Sequence, residues 1–263
     1  MKALHKVVVI LNKLSNTLFY SGTSGIALDL TKDMYPEAFR GKSRLTYYAS
    51  LFNSIEINST FYKLPKLSTI SKWRESVPAN FQFSFKFPKA VTHAKHLNFK
   101  ENDIELFMDI INNVGNKKGC VLVQFPPAVK QENIKRLEDM FATIKQTNAG
   151  SWKIAVEFRN NHWYNERTFE LLSKHEFSLV FHDLPASKTP LAGGTPHLIY
   201  LRFHGTEPRY RGDYDDSILL DYAQRIKQWL NDGKFVYCYF NNTLGNAYQN
   251  LQTLNQFVSS YLK

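Results

Sequence analysis

The sequence predicts an α/β protein of the TIM-type (β/α)8 barrel class, a closed parallel sheet wrapped by helices. Three observations carry that reading. From Phe19 onward, eight short apolar stretches alternate with longer segments, several of helical period. Several of those stretches alternate strictly, with polar side chains on one face only. The chain has 263 residues, 43% of them hydrophobic, which suits one large domain of this class.

The predicted strands lie near Phe19–Ser24, Ser54–Asn58, Phe81–Phe87, Cys120–Phe125, Ile154–Phe158, Ser178–His182, Ile199–His204 and Phe235–Phe240. Between them, Glu101 to Val114 places Ile104, Phe107, Met108 and Ile111 at helical spacing. Lys130 to Ile144 does the same with Ile134, Leu137, Phe141 and Ile144, after the boundary signal Pro126-Pro127. Asp215 to Leu230 is helical up to Asp232-Gly233, and Asn246 to Leu262 closes the domain. The sixth connection, Asp183 to His197, holds Pro185, Pro190, Gly193, Gly194 and Pro196, so it is predicted to be an irregular loop. An open doubly wound sheet is the alternative. The first turn, Gly22-Thr23-Ser24-Gly25, lacks the dinucleotide fingerprint, and no P-loop occurs.

Residues 1 to 18 are read as an appendage ahead of a single barrel domain, 19 to 263. Their apolar run, Val7 to Leu11, is broken by Asn12 and Lys13 and is too short for a secretory signal. No stretch approaches the roughly 18 apolar residues of a membrane span. Cys120 and Cys238 lie in predicted strands without zinc or redox spacing, and are expected to be buried free thiols. A cytoplasmic protein is the resulting expectation.

The net charge of +10 favours acidic partners: an anionic small molecule or nucleic acid. A solvated lysine surface is the plainer account, because the lysines are scattered.

In a parallel barrel both strand faces are buried, so strands should be nearly all apolar. Here strand two sets Glu56 and Asn58 on the inward face. Strand three sets Gln82, Ser84 and Lys86, strand five Glu157 and Arg159, and strand seven Tyr200, Arg202 and His204. With Gln124 and His182, these polar tips converge at the C-terminal mouth, where barrels of this class build active sites. Unpaired buried charge costs several kcal/mol per group, so the cluster needs compensation or a ligand. A purely structural network would pair Glu56 with Lys86, and Glu157 with Arg159.

The candidate catalytic groups are Glu56, Glu157, His182 and His204. Paired carboxylates can divide acid and base roles, and histidines can shuttle protons. The candidate substrate contacts are Asn58, Lys86, His93, Gln124, Arg159, Arg202, Tyr239, Asn241 and Asn242. The inward cations suit a phosphorylated or sugar-like anion. No cofactor is predicted. A divalent metal could be held by His182 and His204 with Glu56, Glu157 and Asp183, although no local metal motif is present and the neighbouring cations oppose it. The loop after strand seven carries Gly205, Arg209, Arg211 and Gly212, which suggests a phosphate contact. The loop from Pro88 to His96 could be a lid.

Several runs together resemble the YecE-like family, which carries the domain-of-unknown-function number 72. They are Gly22-Thr23-Ser24-Gly25, Glu56-Ile57-Asn58-Ser59-Thr60-Phe61-Tyr62, Phe85-Lys86-Phe87-Pro88 with Thr92-His93, and Gln124-Phe125-Pro126-Pro127. Val156-Glu157-Phe158-Arg159, Leu201-Arg202-Phe203-His204-Gly205 and Tyr239-Phe240-Asn241-Asn242-Thr243 complete the set. The likeness covers residues 19 to 257 and implies a TIM-type barrel, but no established activity. The family's usual tryptophan after the opening turn is Ile26 here. Three functions remain open: an enzyme (hydrolase, isomerase or lyase) on an anionic substrate, a nucleic-acid binder or metal-dependent nuclease, and a non-catalytic ligand-binding barrel.

Overall fold

The computed structural model describes residues 18–191 and 197–261. Its eight strands are β1 Phe19–Thr23, β2 Ser54–Ile57, β3 Gln82–Lys86, β4 Lys118–Phe125, β5 Lys153–Phe158, β6 Ser178–His182, β7 Leu198–Phe203 and β8 Phe235–Phe240. All paired strands are parallel, in the order β1-β8-β7-β6-β5-β4-β3-β2. The doubly wound alternative is thereby excluded, because the sheet bends round until β1 meets β2.

That last seam is made differently from the others. One parallel bridge joins Ser24 to Glu56, and Gly25 N–H donates to Glu56 O at 2.8 Å. Below it, side chains replace the ladder. Asn53 accepts from Ser21 N–H (2.9 Å) and donates to Phe19 O (2.9 Å). The Tyr48 hydroxyl accepts from Thr23 N–H (2.7 Å) and lies 3.2 Å from Ser54 O. Backbone groups that would otherwise be buried unpaired are thus satisfied.

Seven helices of eight residues or more surround the strands among the described residues: α1 Arg44–Leu51, α2 Leu67–Glu75, α3 Glu101–Asn112, α4 Ile134–Thr147, α5 Glu166–Lys174, α6 Asp216–Asn231 and α7 Ala247–Tyr261. Ser43 caps α1 by accepting from Thr46 N–H, and Asn165 caps α5 by accepting from Thr168 N–H. Gly233, with φ of +73°, ends the turn after α6. The expected helix start at Lys130 is a 3-10 turn, Gln131–Asn133, before α4 begins. The sixth connection has no helix among its described residues, only the 3-10 turn Pro185–Ser187, as its prolines dictate. Residues 1–17 of the expected appendage, and Gly193, Gly194 and Pro196 of this loop, lie outside the described residues. The Leu18 carbonyl already accepts from Val236 N–H on β8.

Period-two alternation sorts the core into two regions. Outward residues such as Ile55, Phe83, Phe85, Val156, Phe158, Leu201 and Phe203 pack under the helices. The inner region is a separate cluster: Cys120, Leu122, Ala155, Val180, Leu198, Tyr200, Tyr237 and Tyr239. This plug fills the barrel and leaves the strand C-terminal ends to the polar tips. Cys120 and Cys238 are free and buried. No helix among the described residues is long and apolar enough to cross a membrane.

Candidate active site at the barrel mouth

Arg202, at the end of β7, is the centre of the site and is almost wholly buried. It reaches across the barrel to β2, where Nη2 donates to Glu56 Oε1 (2.7 Å) and Nε to Glu56 Oε2 (3.0 Å). Its Nη1 donates to Glu157 Oε2 at 2.8 Å. The remaining Glu157 oxygen, Oε1, accepts from Arg159 Nε. Ser24 Oγ donates to Glu56 Oε1 (2.6 Å), and Tyr200 Oη to Glu56 Oε2 (2.7 Å). All four carboxylate oxygens therefore receive hydrogen bonds, which is what makes two buried carboxylates tolerable. Burial pushes the Glu157 carboxyl up, but Arg159 and Arg202 outweigh it and hold it well below the usual carboxylate range.

The expected Glu56–Lys86 pair does not form. The Glu56 carboxylate is spent on Arg202, whereas the expected Glu157–Arg159 pair is present. Lys86 is left with no salt bridge and no hydrogen bond to its Nζ among the described residues. The ammonium sits 4.1 Å from the Phe61 ring centre. Burial, reinforced by Arg202, lowers its pKa to about 8 despite the two glutamates.

His204 Nε2 lies 2.6 Å from Arg159 Nη2 and 3.3 Å from Arg202 Nη1, and its Nδ1 lies 3.3 Å from Arg202 O. Guanidinium groups only donate, so Nε2 accepts and Nδ1 carries the proton. Burial and Arg202 hold His204 far below its ordinary pKa, which agrees with a neutral ring. Asp183 braces the same corner by accepting from His204 N–H (2.8 Å) and from the Tyr214 hydroxyl. His182 is also neutral, chiefly through burial. Its Nδ1 accepts from Leu184 N–H (3.3 Å), and its Nε2 lies 3.1 Å from both Phe158 O and the Tyr164 hydroxyl. Both rings thus have each nitrogen engaged.

The structure brings Glu56, Glu157, His182, His204, Arg159, Arg202 and Lys86 to one mouth. Gln124 stands beside Glu157 in the register, on the inward face of β4. Asn58 follows β2, its Oδ1 buried without a partner. Other predicted contacts fall elsewhere. Tyr239 lies in the plug, its hydroxyl held by Ser54 (2.6 Å) and Ser84 (2.8 Å). Asn242 is buried and donates to Gly212 O and Asn250 Oδ1, so it fixes the loop after β8. Asn241 extends β8 by donating its N–H to Phe203 O, and its side chain makes no hydrogen bond among the described residues. In the loop after β7, the glycines serve the loop's own fold. Glu207 and Arg211 bridge, and a Cβ on Gly205 would overlap the Arg211 carbonyl.

His93 lies in the connection after β3, which folds into a single helical turn, Lys89–Thr92, and a 3-10 turn, Lys95–Leu97. Its ring meets Phe61 edge to face, with centres 4.9 Å apart. Nδ1 lies 2.9 Å from the Thr92 hydroxyl, and Nε2 has no partner among the described residues. Burial and Lys86 lower its pKa to about 4. Phe61 and His93 line a cavity of about 500 Å³ that opens between the loops after β2 and β3. Tyr164 and Tyr214, which brace the two buried histidines, have no signal in the sequence. They come from loops, where no periodicity assigns a face.

The described residues contain no group of three or more His, Cys, Asp or Glu placed to hold a metal ion. The carboxylates considered as metal ligands are engaged otherwise, Glu56 and Glu157 by Arg202 and Arg159, and Asp183 by His204 N–H and the Tyr214 hydroxyl, so this donor set does not fit a divalent ion.

Fold and site together define a (β/α)8 barrel whose strand ends carry a buried, arginine-centred charge network. The chain belongs to the family described as protein of unknown function DUF72, matched over residues 20–262. It is 25% identical over 244 residues to UPF0759 protein YunF of Bacillus subtilis (strain 168), covering 81% of this chain and 85% of that one. A DUF72 family protein from Thermotoga maritima MSB8 has the same fold, with a TM-score of 0.74 and 27% identity over 93% of this chain and 99% of that one. D-psicose 3-epimerase from Clostridium cellulolyticum H10 superposes with a TM-score of 0.52 at 8% identity, over 92% and 96% of the two chains. That is a likeness of fold.

Proposed function

We propose that this protein is an enzyme acting on an anionic, sugar-like substrate at the C-terminal mouth of the barrel. The observation that carries this reading is the uncompensated Lys86 ammonium beside carboxylates already saturated by other donors. Glu56 and Glu157 carry two negative charges, against three positive charges on Arg202, Arg159 and Lys86. Asp183, the further acid at this rim, is turned to His204 N–H and Tyr214 and not to Lys86, so an incoming phosphate or carboxylate would be the anion that Lys86 meets. Asp183 lies on the other side of the His204 ring and is tied to Tyr214.

The division of labour differs from that expected of four catalytic acids and bases. Glu56, Glu157, His182 and His204 have their lone pairs and protons engaged, so they act as a rigid frame for Arg159 and Arg202. The groups free to meet substrate are Lys86, the His93 Nε2 and the exposed part of Arg159, whose side chain is 8% accessible against 1% for Arg202.

Calorimetric titration with phosphorylated, carboxylated and neutral sugars tests the reading, followed by product analysis for whichever binds. Anionic sugars are expected to bind, and Lys86→Met and Arg159→Met to weaken them by about tenfold or more each. Equal affinity for neutral and anionic sugars, or unchanged affinity in both variants, would overturn it. Binding without any product would leave a ligand-binding barrel instead.

A further inference from the structure

We infer that Lys86 is a nucleophile whose Nζ condenses with the carbonyl carbon of an anionic aldehyde or ketone seated beside Phe61. The inference rests on the anionic-substrate reading above and names the reactive group of that substrate. Three geometric facts support it. Among the described residues, Lys86 is the one cation of the strand-end network with no acceptor for its protons, because the oxygens of Glu56 and Glu157 are taken by Ser24, Tyr200, Arg159 and Arg202. Arginine cannot give up its proton, so Lys86 is the only one of these cations able to become a free amine.

Phe61 supports Lys86 on its face and packs against His93 in a T-shaped contact, with ring centres 4.9 Å apart, so both groups border the same aromatic ring. The cavity of about 500 Å³ is bordered by Phe61 and His93, and Lys86 stands behind it on the Phe61 ring. Thr60, Phe61 and His93 line it, with Lys63 and Lys89 against a single acid, Asp103. It suits a small ligand bearing a negative charge.

The chemistry balances without an added oxidant or reductant. The Nζ lone pair forms a bond to the carbonyl carbon, and the carbonyl oxygen takes a proton to give a carbinolamine. Loss of that hydroxyl as water leaves a C=N bond to Lys86. The ammonium proton leaves to solvent before attack, and a solvent proton converts the departing hydroxyl to water. Glu157 and Glu56 favour the charged form of Lys86. Arg159 and Arg202 oppose them, and the balance of these with burial sets the amine's pKa at about 8. An amine of that pKa is free roughly a hundredfold more often at pH 7 than an ordinary lysine.

The test uses the full chain and pyridoxal 5′-phosphate, an anionic aldehyde, with borohydride reduction and peptide mapping by mass spectrometry. Adduct is expected on Lys86 about tenfold or more ahead of the exposed lysines, forming faster as the pH rises toward 8. Lys86→Arg is expected to abolish that adduct, and inorganic phosphate to raise the melting temperature of the unsubstituted protein. Adduct spread over exposed lysines, or unchanged labelling in Lys86→Arg, would overturn the inference. Stabilisation by phosphate without a Lys86 adduct would remove the nucleophile and leave the anion site. Absence of both would remove the anionic-substrate reading as well.

Discussion

Arg202 and Glu56 meet through two parallel hydrogen bonds across the full width of the barrel, from β7 to β2. Both side chains are buried, so neither has water to fall back on. Removing one partner strands a charge in the interior, a change that costs about 3–5 kcal/mol in comparable buried pairs. Glu56→Gln should destabilise by that order. Arg202→Met should cost more, because it strips Glu56 of its only salt bridge among the described residues and frees one oxygen of Glu157, which keeps Arg159. Urea unfolding of the two variants at pH 7 gives the comparison. An Arg202→Met variant more stable than Glu56→Gln would show that the carboxylates do not depend on Arg202.

Lys86 should behave in the opposite way. Its ammonium is mostly buried and has no acceptor, so the folded state bears its desolvation. Its folded pKa, about 8, lies below the unfolded value of about 10.4. A base depressed in this sense destabilises the fold below the folded pKa, and the penalty is relieved as pH rises through both values. Lys86→Met should therefore stabilise the protein at pH 7 by about 1–3 kcal/mol, with the gain shrinking above pH 8. Thermal unfolding from pH 6 to 10 is the measurement. A loss of stability in Lys86→Met would mean that the ammonium has a partner after all.

The inward face of the barrel was readable in the sequence because period-two alternation needs no knowledge of neighbours. It assigned Glu56, Lys86, Glu157, Arg159, Arg202 and His204 to one rim. It could not tell which charge reaches which. Glu56 and Lys86 sit on adjacent strands, yet the Glu56 partner is a long guanidinium on a strand across the barrel. Tyr239 shares the inward face, but it stands lower in the plug, where Ser54 and Ser84 hold its hydroxyl. Depth along the axis depends on strand stagger, which alternation does not encode. Helices α1, α2 and α5 are not legible in the sequence because eight or nine residues make little more than two turns, too short a window for a helical period to stand out.

The β1–β2 seam makes a separate prediction. Gly22 sits where a Cβ would overlap the Ser54 carbonyl oxygen and crowd the Tyr48 hydroxyl. That hydroxyl also receives Thr23 N–H, so it ties the two strands together. Gly22→Ala must push β1 away from β2, and should cost about 2 kcal/mol or more. Tyr48→Phe removes only the hydroxyl and should cost about 1–3 kcal/mol, by leaving Thr23 N–H unpaired. Hydrogen exchange should show Thr23 as the amide most accelerated in Tyr48→Phe. Unaltered exchange there would mean that the seam does not rely on Tyr48.

Acid should weaken the fold in two stages set by different residues. His182 and His204 are buried and neutral, and with His93 they have folded pKa values below the ordinary value of about 6.5. As pH falls below that value, the unfolded chain takes up protons that the folded chain refuses, so stability declines. The slope is about 1.4 kcal/mol per pH unit for each such histidine, until its folded pKa is reached. Glu157 acts lower down: its carboxyl is held below its unfolded value of about 4.3, so its contribution is full above that pH and is lost as pH falls through the folded value. Urea unfolding between pH 7 and 5 should therefore show a decline that His204→Gln flattens, because Gln keeps an amide for the two arginines without titrating. Glu157 cannot account for a decline in that window. A wild-type stability that stays level from pH 7 to 5 would show that the histidines are protonated in the folded state, and that the arginine contacts to His204 Nε2 do not hold.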